Sequence, residues 1–203
     1  MKSNRRLTAA ACMLALLAAS ASACSNTTQG TPSAATSSDE NPSSAVPTVA
    51  HPLDPSSYVG KPCDLVPQQL VSQLGYSDPT PSDANSALGP GCGWIDVRTS
   101  QGKNLNVSVQ ILKGKRNGGI ASVYKTKDAG GYDFVDPTEV SGYPAVFADT
   151  QDRRPEGDCN LFVGIADDLT FGVAADGYQN EQDSCGAATQ VAASVITTLQ
   201  GGS

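Results

Sequence analysis

The chain has 203 residues, with 13 Lys or Arg against 20 Asp or Glu, a net charge of −7, and 39% hydrophobic residues. That length suits one domain of ordinary size with appendages. The acidic balance argues against a nucleic-acid partner, because phosphate contacts need a basic face. Beyond the first 23 residues no stretch approaches the roughly 20 apolar residues of a membrane helix.

The chain opens with the basic stretch MKSNRRL, then runs through small and apolar residues from Leu7 to Ala23, broken only by Thr8, Ser20 and Ser22. This reads as a secretory signal over residues 1–23. It ends Ala21-Ser22-Ala23-Cys24, which fits both an ordinary small-residue cleavage site and a lipobox whose cysteine becomes an acylated first residue. Ala21 stands where the lipobox pattern usually has leucine. The residues that follow favour the anchor. From Ser25 to Ala50 there are 14 Ser, Thr or Pro and no apolar residue larger than valine, a composition that cannot repay its own ordering entropy. Lipidation of Cys24, a tether over 24–51 and a single domain over 52–203 are therefore expected, with the membrane reached through the lipid. The expected location is the outer face of the cytoplasmic membrane, with free secretion as the alternative. Loss of Lys2, Arg5 and Arg6 leaves ten basic residues against twenty acidic ones in the mature chain, a net charge of −10 if its terminus is acylated.

Cys12 leaves with the signal and Cys24 takes the lipid, so Cys63, Cys92, Cys159 and Cys185 remain in the folded part. An even number in an exported chain reads as disulfides. Four cysteines allow three pairings, and sequence does not choose among them. Cys63–Cys92 with Cys159–Cys185 is favoured, since each pair joins neighbours and ties a helix start to a strand. Zinc is disfavoured, because no C-x-x-C pair is present.

In chain order, PCDLVPQQLVSQLG predicts a short helix, with Pro67 in its first turn and Gly75 at its end. A polar loop, SDPTPSDANSALGPG, leads to Cys92. The segments CGWIDVRT and NLNVSVQILK predict a hairpin turning around Ser100 to Lys103. Leu105, Val107, Val109 and Ile111 alternate with Asn106, Ser108 and Gln110, one set buried and the other wet. Ile120, Val123 and Tyr124 mark a short helix, and two strands flank SGYP. CNLFVGIA and LTFGVAA form a second hairpin around Asp167-Asp168. Ala188, Val191, Ala192, Val195, Ile196 and Leu199 predict an amphipathic C-terminal helix capped by Asp183 or Ser184. The expected fold is α+β: an antiparallel sheet of about five strands, packed by an N-terminal short helix and a C-terminal helix and fastened by two disulfides. Within GPGCGWID, Trp94 shares the facing parity of Cys92 and should pack beside its bridge. Trp94 and Tyr143 are also the candidate ligand-facing aromatics.

Taken together, PCDLV, GPGCGW, EVSGYPAVF, CNLFVGIADD and DSCGAATQVAASVITTL resemble the actinobacterial lipoproteins grouped as domain of unknown function family 3558. The resemblance spans residues 52 to 199. It implies a cell-envelope lipoprotein with an α+β domain and brings no reaction or catalytic residue.

No catalytic set emerges from the residues. The single histidine, His51, sits beside Pro52 at the tether boundary and reads as a solvated linker residue. GKRNGG lacks the spacing and Ser/Thr of a phosphate loop. The cluster Lys113, Lys115 and Arg116 reads as a solvated turn. Acids crowd two segments: Asp128, Asp133 and Asp136, then Asp149, Asp152, Glu156 and Asp158. These read as surface loops neutralised in part by Arg153 and Arg154, and the calcium-loop order is absent. No cofactor, metal site or catalytic residue is expected. A non-enzymatic binding or accessory module is favoured, its partner being another envelope protein or a small apolar ligand between sheet and helices. The alternatives are a small envelope hydrolase using acids such as Asp133 and Asp136, or an inhibitor or structural component of the envelope.

Overall fold

The computed structural model describes residues 46–201 apart from 84 and 99–101; the expected signal, Cys24 and tether residues 24–45 lie outside them. The expected domain start at residue 52 moves earlier. Val49 is buried and its N–H donates to Asp167 Oδ1 at 2.9 Å. The Tyr143 hydroxyl donates to the His51 carbonyl at 2.9 Å, and Leu53 N–H donates to Ile165 O at 2.8 Å. One valine in a run of small polar residues is enough to seat this strap on the domain.

PCDLVPQQLVSQLG splits in two. A 3-10 turn covers Pro62–Leu65 and helix α1 covers Gln68–Gln73. The break lies at Val66, held extended (φ −115°, ψ 119°) as the residue before a proline is required to be. Pro67 becomes the N-cap of α1, and the chain leaves the helix through Gly75 at φ +88°.

Strands β1 (Pro79–Ser82), β2 (Gly91–Asp96), β3 (Lys103–Val109), β4 (Ile111–Leu112) and β5 (Lys115–Arg116) follow. After helix α2 (Gly119–Asp128) come β6 (Phe134–Val140), β7 (Tyr143–Asp149), β8 (Cys159–Ala166) and β9 (Leu169–Asp176), then helix α3 (Glu181–Leu199). Seven strands form one antiparallel sheet in the order β1-β2-β3-β9-β8-β7-β6, and β4 and β5 make a separate small hairpin. The sheet is therefore wider than the expected five strands. One added strand, β1, lies in the segment read as loop because Pro79 and Pro81 argue against a strand. An edge tolerates them, since a missing N–H costs nothing on the open side. Pro137 does the same in β6 at the other edge.

The two sheet faces are covered differently. On one, rows such as Trp94–Leu105–Ala175–Cys159 and Cys92–Val107–Val173–Leu161 build the main core. Val191, Ala192, Val195 and Ile196 of α3 pack onto it, together with Leu65 and Val71 from the N-terminal segment. On the other face α2 seats Ile120 and Val123 against Val146 and Ala148. The expected wet side of β3 is not fully wet: Ser108 and Gln110 are buried, and Gln110 Nε2 donates to Ser108 Oγ at 2.8 Å. Gly172 makes room for this, since a Cβ there would lie 3.2 Å from Gln110 Nε2.

Helix α3 begins earlier than expected. Asn180, not Asp183 or Ser184, is the cap: its side chain accepts from Asp183 N–H at 3.0 Å, while Asn180 Nδ2 donates back to Asp183 Oδ2 at 3.1 Å. The cap thus satisfies one helix-start N–H, and the second bond, between the two side chains, holds the Asn180 amide in its capping position. Cys63 pairs with Cys92 and Cys159 with Cys185.

Candidate functional site

Residues 182, 186 and 190 stand four apart on α3 and so form one line along the helix. That line faces α1, and the space between is an open groove of about 650 Å³. Gln73 and Leu74 at the end of α1 form one wall, and Gln182, Gly186, Ala187 and Gln190 form the other. Lys103, Tyr178 and Gln179 close one end. Each wall hangs from a disulfide. Cys159–Cys185 ties α3 to β8, and Cys63–Cys92 ties the turn before α1 to β2.

The charged groups of this groove are occupied by the fold itself. Lys103 Nζ donates to Leu74 O at 2.8 Å and lies 4.8 Å and 4.9 Å from the ring centroids of Tyr76 and Tyr178, a double cation–π contact. Those two tyrosines share a hydrogen bond of 3.0 Å between their hydroxyls. Burial, then that bond, push the Tyr76 hydroxyl far above its ordinary range. Asp183 is engaged by Asn180. By contrast, the carboxamides of Gln73, Gln179, Gln182 and Gln190 make no hydrogen bond among the described residues.

A second, acidic cleft of about 380 Å³ lies across Gly177, lined by Asn104, Arg153, Glu156, Asp158 and Asp176. Burial pushes the Asp176 carboxyl up to about 6, with further repulsion from Asp158 and Asp149 and partial relief from Arg153 and Asn104. Asp158 is fastened on both sides: its Oδ1 accepts from Gly177 N–H at 2.8 Å and its Oδ2 pairs with Arg153. Tyr178 N–H donates to Gly157 O at 3.0 Å, so the loop before β8 holds the turn that ends the groove.

The residues singled out from sequence fall elsewhere. Trp94 is 1% exposed and sits in the main core with Cys92; its Nε1 finds no partner among the described residues. Tyr143 is also buried, its hydroxyl spent on the N-terminal strap. Both rings pack as core and strap residues, and Trp94 also borders a cleft of about 330 Å³ with Cys63, Val66, Pro67 and Pro79. His51 is exposed and contributes its backbone carbonyl. Between the sheet and α3, Phe171, Val173, Val191 and Val195 pack together in the main core.

Most of the acids singled out from sequence are held by neighbouring groups of the fold. Asp136 pairs with Arg154 at 2.7 Å, and the same guanidinium holds Asp152 at 2.7 Å and stacks over Phe134 at 4.1 Å. The Arg154 hydrogen bonds keep the Asp152 carboxyl below its ordinary range. Asp133 is used through its backbone, which bonds Asp149 O and Lys127 Nζ. Asp149 accepts from Asn160 Nδ2 at 2.6 Å. Arg116 of the basic turn pairs with Asp168. Among the described residues no group of three or more His, Cys, Asp or Glu could hold a metal ion, and no helix is long and apolar enough to cross a membrane.

Sequence reasoning passed over the carboxamides and Asp176. The four-residue spacing of Gln182, Gly186 and Gln190 was a readable signal, but only tertiary structure brings Gln73 and Gln179 beside them. No curated protein and no solved structure matches the chain. The family model described as protein of unknown function (DUF3558) matches residues 19–198, and the chain belongs to that family.

Proposed function

We propose that this protein is an exported, lipid-anchored binding module of the cell envelope, with the groove between α1 and α3 as its binding site. The observation that carries the reading is the state of the groove's polar groups. Four exposed carboxamides line a cleft of about 650 Å³ and make no hydrogen bond among the described residues. The cleft volume lies within the range of small-molecule sites. Anchoring rests on the signal-like start, on Cys24 directly before a Ser/Thr/Pro-rich segment, and on a family match that begins at Ala19 and so takes in that cysteine.

The test is an intact mass spectrum of the protein extracted from its own host's membranes, native and then denatured. An acylated chain with a retained small molecule that leaves on denaturation supports the reading. An unacylated chain carrying no ligand and retaining no protein partner overturns it. Cys24→Ser should release the protein from the membrane fraction into the medium.

A hydrolytic reading is favoured by one observation, the raised Asp176 carboxyl beside Asp158 in the acidic cleft. Such an enzyme would use Asp176 rather than Asp133 and Asp136. Turnover of an envelope polysaccharide that is abolished by Asp176→Asn would establish it.

A further inference from the structure

The geometry points to a neutral, polyhydroxylated ligand, the end of a glycan, as the occupant of the groove between α1 and α3. This inference rests on the groove being a binding site and narrows what the site selects.

The argument begins with what the groove offers. Its ammonium is capped by Leu74 O and sandwiched by Tyr76 and Tyr178, and its carboxylate is held by Asn180. These partners are neutral, but the lining holds one ammonium and one carboxylate, so the groove presents no net charge to attract an ion. The uncommitted groups are carboxamides, each presenting two donors and an acceptor without net charge. A sugar hydroxyl has the same dual character, one donor and two acceptor lone pairs, so rows of hydroxyls and carboxamides can satisfy one another.

Shape agrees. Gly186 leaves the middle of the α3 wall open, since a Cβ built there meets nothing within 4 Å, and Ala187 beside it is small. A flat ring can approach the helix between Gln182 and Gln190, one turn to either side. Competing occupants fit less well. An acyl chain would need an apolar lining, whereas the carboxamides would be left unpaired against it, at about 1–3 kcal/mol for each group desolvated. A peptide bound in extended form would seek free backbone groups, as at a sheet edge. Here the walls are helices, and the α3 wall lies within a helix of 19 residues whose backbone bonds are made internally.

The experiment is a titration of the uniformly 15N-labelled full chain followed through the side-chain NH2 signals of Gln73, Gln179, Gln182 and Gln190. The probes are neutral disaccharides of glucose, mannose, galactose and N-acetylglucosamine, with palmitate, inorganic phosphate and tri-alanine as comparisons. At least one disaccharide should shift these signals saturably, and the comparison probes should leave them in place. Gly186→Phe fills the groove at a position with open space and replaces a helical glycine, so the fold should persist while sugar affinity falls at least about tenfold. Gln182→Leu with Gln190→Leu removes two groups that make no bond in the fold and should weaken binding about 5- to 100-fold.

Failure of every disaccharide to move the four signals overturns the inference, as does undiminished sugar binding by Gly186→Phe. Palmitate or tri-alanine shifting the same signals, blocked by Gly186→Phe, would overturn the glycan assignment while upholding the groove as a binding site. If the protein from host membranes carries neither ligand nor partner, the binding reading itself fails.

Discussion

Replacing Asp176 by asparagine should stabilise the protein at neutral pH and remove a specific part of its pH dependence. The Asp176 carboxyl is raised from 3.8 to about 6, chiefly by burial. A carboxyl raised in the folded state holds its proton where the unfolded chain has already lost it. Its effect is therefore absent below about pH 3.8, grows as pH rises to about 6, and is a constant penalty above that. The shift of about two units would correspond to roughly 3 kcal/mol without screening. Asp176 is only partly buried, and solvent screening reduces the figure to about 1–2 kcal/mol. Asp54, Asp96 and Asp152 are lowered by their hydrogen bonds, so their contributions change below about pH 3.8 and do not overlap this window. Urea unfolding at about pH 4 and about pH 7 measures the effect, with disulfides intact in both chains. The wild-type chain should lose about 1–2 kcal/mol more than Asp176→Asn between the two conditions. Parallel pH profiles for the two chains would refute the reasoning.

Other substitutions probe the bridges, turns, core and cap in turn. Replacing Cys63 and Cys92 together by alanine reopens a loop of 29 residues and should cost about 3–4 kcal/mol by chain entropy, read from urea midpoints. Gly157→Ala should destabilise by more than about 2 kcal/mol in thermal melts, because φ is +91° and the new Cβ would meet Tyr178 O. Gly142→Ala is its control: it also has positive φ, but with nothing within 4 Å it should cost only about 1 kcal/mol. Trp94→Ala should cost about 3–5 kcal/mol in chemical unfolding, since the ring fills the core beside the first bridge. Asn180→Ala should lose about 1 kcal/mol, with amide exchange rising first at the start of α3.

The elements legible in the sequence were those whose pattern and packing agree. Leu105, Val107 and Val109 alternate and are buried, and the 167–168 turn joins β8 to β9 as its two acids suggest. The stripe from Ala188 to Ile196 faces the sheet. Trp94 packs where its parity with Cys92 places it. Misreadings arose where a local rule was overruled by position in the fold. Prolines excluded β1 although an edge accepts them. Ser108 and Gln110 followed the polar half of an alternating strand and were still buried, because glycines across the sheet leave room for them. The cap of α3 was placed too late because Asp183 completes a cap begun by Asn180. The groove was illegible for another reason. Its walls come from segments about one hundred residues apart, so the spacing of Gln182, Gly186 and Gln190 along α3 does not say that α1 lies opposite.

The two bridges are consecutive, since the loop from Cys63 to Cys92 closes before Cys159 begins the next. Among the four cysteines of the domain, joining each to the next in sequence gives the native pairs at once, with no wrong pair to exchange. The first bridge forms on a chain that lacks the second half of its sheet, so β2 and the segment leading into α1 are already tethered when β8, β9 and α3 arrive. The order of the cysteines thus lets oxidation run in step with the chain's appearance, and the second closure completes a groove whose first wall is already in place.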